Sequence, residues 1–182
     1  MHSAAPNERP RAVFLDRDGT IMRDANYCCD PRHVEVFAAT PEALRRLKDG
    51  GFRIYIITNQ SGLGRGYFSE QDYRAVEAEV ERQIGAGVID GSYFCPHVPE
   101  DGCACRKPSA ELIFQAQREH DLDLGRSFMV GDKQIDAECG RAAGLRTILV
   151  QTGQETHAEK TAADWIAHDL QEAADLILRD AI

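Results

Sequence analysis

The sequence predicts an α/β protein built on a doubly wound, Rossmann-like parallel sheet. Short apolar runs that suit buried strands alternate along the chain with segments of helical periodicity. Polar clusters directly follow three of these apolar runs. In open parallel sheets, ligands bind beyond the carboxyl ends of the strands, so these clusters are expected to meet at one edge.

The elements follow one another in regular alternation. Strands are predicted at residues 12–15, 54–57, 92–94, 127–130 and 147–150. Helices are predicted at residues 41–49, 70–84, 108–120, 135–143 and 170–179. Thr40 is expected to cap the first helix with Pro41 at its first position, Ser69 to open a capping box, and Asp169 to cap the last helix.

Length and charge limit the possible functions. The 182 residues suit a single domain spanning residues 1–182, and 43% hydrophobic with 28% charged residues is ordinary globular composition. A net charge of −9 argues against nucleic-acid binding. No apolar run is long enough to span a membrane, and the N-terminus lacks an export signal, so a cytoplasmic protein is expected. No large exposed apolar face is indicated, which favours a monomer.

Three carboxylates follow predicted strands. Asp16 and Asp18 stand two positions apart, and an extended backbone would point both side chains the same way, as a Mg²⁺ site requires. An aspartate can also act as a nucleophile, and a second one as a general acid or base. A solvated Asp-Gly turn is the alternative. Asp132 can add a carboxylate, whereas Asp136 is either a further ligand or a first-turn acid of the next helix.

The second strand ends in groups that suit an anionic ligand. Thr58, Asn59 and Ser61 offer hydroxyl and amide groups, and Arg65 is a candidate anion contact. Three glycines make the following loop flexible enough for its backbone to approach a ligand: Gly62, Gly64 and Gly66.

Basic side chains complete the predicted site. Lys107 could neutralise charge developing on a transferred phosphoryl group, and Arg106 could bind another phosphate or a sugar hydroxyl. Lys133 could contact substrate or pair with an aspartate. A solvated basic pair is the alternative for Arg106 and Lys107, and a surface ion pair is the alternative for Lys133.

Four potential metal ligands lie within eleven positions: Cys95, His97, Cys103 and Cys105. Clustered cysteines in a cytosolic chain are more often metal ligands than disulfides. Four nitrogen and sulfur ligands suit a closed, tetrahedral Zn²⁺ site with a structural role. Unrelated thiols in a loop are the alternative.

Four segments resemble the motifs of the haloacid dehalogenase superfamily, and they occur in that family's order. They are DRDGT at residues 16–20, TNQSG at 58–62, CRKP at 105–108 and VGDKQID at 130–136. The CPH and CAC sequences at residues 95–105 are similar to the zinc-bearing branch of that superfamily. The resemblance implies a minimally capped fold and a Mg²⁺-dependent phosphatase.

The resemblance also implies individual roles. Asp16 would be the nucleophile and a Mg²⁺ ligand, and Asp18 would be the acid and base, with its backbone carbonyl on Mg²⁺. Thr58 and Lys107 would hold the phosphoryl oxygens, and Asp132 would complete the Mg²⁺ site. Substrate contacts would come from Arg106 and Lys133.

The zinc-bearing branch acts on small phosphate esters. Its members hydrolyse a heptose bisphosphate, on the way to nucleotide-activated heptose, or histidinol phosphate. Residues 59–73 resemble the heptose enzymes more closely, so a sugar phosphate is the expected substrate. Histidinol phosphate, or phosphate binding without catalysis, remains the alternative.

Overall fold

Six parallel strands form one sheet in the computed structural model, which describes residues 9–153 and 161–181. Their order across the sheet is β3-β2-β1-β4-β5-β6, the order of a doubly wound Rossmann-type sheet. The predicted fold class is therefore confirmed. The strands are β1 (Arg11–Leu15), β2 (Phe52–Asn59), β3 (Gly91–Cys95), β4 (Phe128–Gly131), β5 (Arg146–Val150) and β6 (Trp165–Ala167).

Helices cover both faces of this sheet. They are α1 (Thr40–Asp49), α2 (Ser61–Gly64), α3 (Glu70–Ile84), α4 (Glu111–His120), α5 (Gln134–Ala142) and α6 (Leu170–Asp180). Single 3-10 turns lie at Pro31–His33, Pro99–Asp101 and Leu124–Arg126.

The core divides into two layers because side chains alternate along each strand. In β1, Val13 and Leu15 join the cluster that includes buried residues of α1, α3 and α6. Ala12 and Phe14 point to the other face, where they pack with α4 and α5. Strands buried on both faces account for the nearly continuous apolar runs in the sequence.

The edge of the sheet is stepped at its centre. Leu15, the last residue of β1, pairs with Ile56 of β2 and with Val130 of β4. β2 continues for three residues beyond that level, to Asn59. The residue after β1, Asp16, still donates its backbone N–H to the Val130 carbonyl at 2.9 Å. Asp16 therefore lies at the floor of a recess with β2 as one wall.

Two of the predicted helix starts are wrong. Thr40 is the first residue of α1 rather than its cap, and its hydroxyl donates to the Ile21 carbonyl at 3.2 Å. The helix expected from Pro108 begins at Glu111, because residues 108–110 form a connection after Lys107. The caps by Ser69 and Asp169 are confirmed, since each side chain accepts from a backbone N–H three residues on.

Two further features differ from the expectation. β6 has only three residues, too few for a strand to be recognised in the sequence. The glycine segment after β2 begins with the short helix α2 instead of a flexible loop. A side chain at Gly62 would overlap Phe68, and one at Gly64 would come within 2.8 Å of the Pro96 carbonyl oxygen. Packing, rather than flexibility, explains these two glycines.

Among residues 9–153 and 161–181, no helix combines the length and the apolar character needed to cross a bilayer. Most of the N-terminal segment on which the expectation of no export signal rested, residues 1–8, lies outside the described residues.

Candidate active site

Three buried carboxylates gather at the carboxyl edge of the sheet. Asp16 follows β1, Asp132 follows β4, and Asp136 lies in the first turn of α5. One oxygen from each lies within 4.8 Å of the others. We call these three residues the acid cluster. Gly131 is required beside it, because a side chain there would overlap Asp136.

Lys107 is the buried cation at the acid cluster. Its Nζ lies 2.6 Å from Asp16 Oδ1 and 2.6 Å from Asp136 Oδ1, and it donates to the Ile57 carbonyl at 2.8 Å. Burial alone would lower the pKa of Lys107, but the attraction of both carboxylates outweighs it, and the pKa is raised. One ammonium therefore faces three carboxylates, and the cluster retains excess negative charge.

Asp132 is fully buried, and neither of its carboxylate oxygens has a hydrogen-bond partner. Gly19 and Gly153 pack so closely against this carboxylate that a side chain at either position would overlap it. Burial and the charges of Asp16 and Asp136 raise the pKa of Asp132 to about 8, against an opposing effect of Lys133. The Lys133 ammonium lies 4.0 Å from Asp132 Oδ2 and makes no hydrogen bond to it. Buried carboxylate oxygens without hydrogen-bond partners are what a divalent metal ion requires, so these residues fit Mg²⁺.

Asp18 lies beside the acid cluster rather than within it. Its carboxylate accepts from the buried guanidinium of Arg17 at 3.1 and 3.2 Å, and from Gln60 Nε2 at 2.9 Å. The third carboxylate of the acid cluster belongs to Asp136 and not to Asp18. The prediction that the side chains of Asp16 and Asp18 face one cation is therefore wrong for Asp18. Asp18 nonetheless lines the same pocket as Asp16.

Asn59 holds the main chain at Lys107. Its side-chain Nδ2 donates to the Lys107 carbonyl at 3.2 Å, and its Oδ1 accepts from the Lys107 N–H at 3.0 Å. These bonds join residues far apart in sequence, and they fix the segment that delivers the ammonium to Asp16. Asn59, which was predicted to bind substrate, therefore positions the main chain of Lys107 in this structure.

Two connected spaces open from the acid cluster. The inner pocket, about 50 Å³, is lined by Asp16, Asp18, Thr58, Asn59, Lys107, Lys133, Ile135 and Asp136. The outer cavity, about 330 Å³, shares four of these residues and adds Asp24, Asn26, Tyr27, Cys28, Gln60, Ser61 and Arg106. Thus the structure brings together every predicted catalytic residue and four of the five predicted substrate residues. Arg65 is exposed and lines neither space.

The four predicted zinc ligands also meet. We call Cys95, His97, Cys103 and Cys105 the thiol cluster. The three sulfur–sulfur distances are 3.0, 3.5 and 3.6 Å, and His97 Nδ1 lies 3.6 and 3.3 Å from the sulfurs of Cys95 and Cys105. Ligands around a tetrahedral Zn²⁺ lie about 3.5–3.8 Å apart, so the donor set fits such an ion with only slight expansion.

The thiols differ in acidity. Burial raises the pKa of Cys95. Burial also acts to raise the pKa of Cys103, but hydrogen bonds from the Cys95 and Cys105 thiols outweigh it and lower that pKa to about 7. At least one sulfur is therefore poised to be a thiolate, the form that binds metal.

The thiol cluster is joined to the active site by a short connection. Arg106 donates from Nη1 to the His97 carbonyl at 3.1 Å and lines the outer cavity. Lys107 follows directly and reaches the acid cluster. The geometry of the loop therefore sets where both cations point.

Sequence reasoning missed the roles of three residues at the site. Asp136 was left undecided between ligand and helix-start acid. It is the helix-start acid, because its carboxylate accepts from the Lys133 N–H at 3.0 Å, and it also pairs with Lys107. Arg17 and Gln60 were not singled out as site residues. In the sequence, they are marked only by lying in the DRDGT and TNQSG segments, close to Asp16 and Thr58.

Comparisons with known proteins agree with this site. Residues 104–173 match the family model described as HAD-hydrolase-like. The chain is 42% identical over 142 residues to a probable D-glycero-D-manno-heptose-1,7-bisphosphate 7-phosphatase of Thermoplasma acidophilum, covering 76% of this chain and 89% of that one. It is 39% identical over 172 residues to the D-glycero-beta-D-manno-heptose-1,7-bisphosphate 7-phosphatase of Helicobacter pylori strain J99, covering 92% and 97%.

A solved structure is similar over nearly its whole length. It is a D,D-heptose 1,7-bisphosphate phosphatase from B. bronchiseptica complexed with magnesium and phosphate, with a TM-score of 0.84, 31% identity, and coverage of 94% of this chain and 99% of that one. The fold and the acid cluster define a phosphate-ester hydrolase of the haloacid dehalogenase type. Within that superfamily, the chain belongs to the family of the heptose bisphosphate phosphatases.

Proposed function

We propose that the protein is a Mg²⁺-dependent phosphatase that removes the 7-phosphate of D-glycero-D-manno-heptose 1,7-bisphosphate. The observation that carries this proposal is the acid cluster with Lys107, opening through the inner pocket into the outer cavity. The similarity to named heptose bisphosphate phosphatases supports the choice of substrate.

The inner pocket has the groups that phosphoryl transfer needs. Asp16 attacks the phosphorus through a carboxylate oxygen, the ester bond to the sugar oxygen breaks, and an aspartyl-phosphate forms. Lys107 and the Thr58 hydroxyl hold the phosphoryl oxygens, and their positive charge and hydrogen bond stabilise the transition state. Bound Mg²⁺, held by Asp16, Asp132 and the Asp18 backbone carbonyl, would supply further charge neutralisation.

Asp18 performs the proton transfers in this proposal. It protonates the leaving sugar oxygen and then takes a proton from the water that hydrolyses the aspartyl-phosphate. Its position on the wall shared by the inner pocket and the outer cavity suits both steps, because the leaving oxygen crosses that boundary.

The outer cavity suits a ligand with a second anionic group. Arg106 and Lys133 lie in its wall in addition to Lys107 in the inner pocket. A bisphosphate can place one phosphoryl group beside Asp16 and the other near these two cations. Ser61 offers a hydroxyl for a sugar contact. Substrate binding by Arg65 stays a prediction.

Zn²⁺ in the thiol cluster would be structural, because four protein ligands leave no open position.

The close thiols also favour a reducing compartment, since sulfurs this near to one another are readily oxidised in an oxidising compartment. We therefore place the protein in the cytoplasm. As every group required lies in one chain, we propose that residues 1–182 act as one domain and as a monomer, which sedimentation would check.

The substrate assignment is tested by phosphate release from a panel. The panel contains both anomers of the heptose 1,7-bisphosphate, histidinol phosphate and several sugar monophosphates, with ³¹P NMR to show which phosphate remains. We expect kcat/KM for one heptose anomer to exceed that for histidinol phosphate at least ~100-fold, because polar groups left unpaired by the wrong substrate cost that much.

Two results would change the proposal. A clear preference for histidinol phosphate would replace the substrate while keeping the chemistry. Binding of every panel member with saturating Mg²⁺ but no phosphate release would point to a phosphate-binding module.

A further inference from the structure

Gln60 links two of the groups that carry the proposed reaction. Its side-chain Nε2 donates to Asp18 Oδ2 at 2.9 Å and to Thr58 Oγ1 at 2.9 Å. The side chain is 5% exposed, so water does not compete freely for these bonds. Its backbone is also fixed, because its N–H donates to the Cys95 carbonyl at 2.7 Å and its carbonyl accepts from Leu63.

The carboxylate of Asp18 decides which way the Gln60 amide faces. Both Asp18 oxygens accept hydrogen bonds from Arg17, so the group that approaches Oδ2 is the amide NH₂ and not the amide oxygen. Arg17 holds the same carboxylate from another side. With one amide hydrogen on Asp18, the second hydrogen is directed to Thr58 Oγ1.

The amide in turn decides which way the Thr58 hydroxyl faces. A hydroxyl that accepts from Gln60 directs its own hydrogen elsewhere, and Thr58 lines the inner pocket beside Asp16 and Lys107. The hydrogen is then available to a phosphoryl oxygen in that pocket. The chain of donors runs from Gln60 through Thr58 to the position where negative charge develops.

We propose that Gln60 is a positioning residue that orients the Thr58 hydroxyl as a donor toward the phosphoryl group and holds the Asp18 carboxylate at the pocket wall. The inference rests on the proposed phosphatase function. Gln60 itself does not touch the reacting atoms.

Two substitutions separate the hydrogen bonds from the shape of the side chain. Gln60→Leu keeps the size but removes both donors, and Gln60→Glu keeps the shape but presents an acceptor to Asp18 and Thr58. We expect kcat to fall ~10–100-fold in Gln60→Leu and further in Gln60→Glu, in which the Thr58 hydroxyl turns to donate to residue 60. KM should change less than ~3-fold, because the other residues that line the outer cavity still hold the sugar.

Binding of inorganic phosphate provides a readout without turnover. By calorimetry in the presence of Mg²⁺, its affinity should weaken ~3–10-fold in both variants, because the inner pocket loses one donor. Gln83→Leu is the matched control. Gln83 donates to the Val34 carbonyl and accepts from the Val36 N–H, so this variant loses partly buried hydrogen bonds outside both spaces.

A double-mutant cycle decides whether Gln60 acts through Thr58. In a Thr58→Val background, Gln60→Leu should lower kcat by less than ~3-fold, since residues of one network are not additive. Full additivity, or wild-type kcat and phosphate affinity in both Gln60 variants, would overturn the inference. A fall matched by Gln83→Leu would indicate only lost stability and would also overturn it.

The phosphate titration keeps this test separate from the proposed function. If the wild-type protein hydrolyses no phosphate ester, the proposed function fails. The affinities of the variants for inorganic phosphate then still decide the role of Gln60.

Discussion

The acid cluster and the thiol cluster are both suited to a metal ion, but they are built in opposite ways. The acid cluster is buried, has oxygen ligands, and opens into a pocket. The thiol cluster lies partly exposed in a loop, has sulfur and nitrogen ligands, and closes on itself with four donors. Open oxygen sites suit chemistry on a bound phosphate, and closed sulfur sites suit structural support.

The origin of the ligands explains the difference. The acid cluster draws on β1, β4 and α5, so the sheet assembles it before any ion binds. The thiol cluster comes from the last residue of β3 and the stretch between β3 and α4, where a single 3-10 turn is the regular structure. We therefore propose that the loop depends on Zn²⁺ to keep its shape, whereas Mg²⁺ would balance the charge of the acid cluster.

The largest expected effect comes from Asp16. Asp16→Asn should lower phosphate release from the preferred substrate at least ~10⁴-fold, because an amide oxygen cannot serve as the nucleophile. Thermal stability should not fall, because the substitution removes one of three crowded buried charges. Asp175→Asn, at an exposed ion pair with Arg46, is the control and should retain full turnover. Sustained turnover by Asp16→Asn would remove the acid cluster from the mechanism.

Removal of zinc should have a smaller and indirect effect. Stripping the protein with a strong chelator under reducing conditions and restoring only Mg²⁺ should lower kcat ~10-fold, the size expected for loss of a supporting shell. The cause is the connection from the thiol cluster to Arg106 and Lys107. The melting temperature should fall in the same samples.

A matched pair of variants checks that result. Cys103→Ser should reproduce the loss and make the protein insensitive to zinc. Cys29→Ser changes an exposed cysteine outside the cluster and should behave as wild type. Equal melting temperatures and rates with and without zinc would show that the thiol cluster is not a structural metal site.

The smallest expected effect is the pH dependence of stability without metal. Burial gives Asp132 a pKa of about 8 in the folded protein, against 3.8 for an unperturbed aspartate. The proton on Asp132 therefore stabilises the folded state at low pH, and this contribution is lost as pH rises from about 4 to about 8. The melting temperature of metal-free protein should fall over this range by at least ~3 °C, the shift produced by about 1 kcal/mol.

Mg²⁺ and a variant complete the test of Asp132. Added Mg²⁺ should raise the melting temperature most at pH 8, where Asp132 is most easily ionised. Asp132→Asn should reduce both the pH dependence and the response to Mg²⁺. A melting temperature of the wild type that rises with pH in the absence of metal would contradict the assignment.

The fold could be predicted from the sequence because most of its strands are visible as apolar runs. Apolar runs ending in Asp16, Thr58 and Asp132 predict a parallel sheet with one site at its carboxyl edge, and the structure has that arrangement. Short spacing made the thiol cluster equally visible. β6 was missed because three residues with one buried side chain leave no pattern.

The partners of the polar side chains could not be read from the sequence. Spacing predicted that the Asp18 carboxylate faces the cation with Asp16, but Arg17 and Gln60 bind it instead. Asp136 joins Asp16 because Lys107, from a distant segment, lies between them. Such choices depend on which donors the folded chain brings near, and local spacing does not encode that.

The stepped edge of the sheet sets the depth of Asp16 below the end of β2. β1 ends at the level of Ile56, while β2 rises past the Asp16 level by two residues, or about 7 Å. The inner pocket, about 50 Å³, has room for a phosphoryl group on a slender linker but not for a bulky one. We therefore expect a phosphate on an unbranched terminal CH₂ to reach Asp16 more readily than one attached directly to a sugar ring. In that case, the relative lengths of β1 and β2 would favour hydrolysis at one end of a bisphosphate over the other.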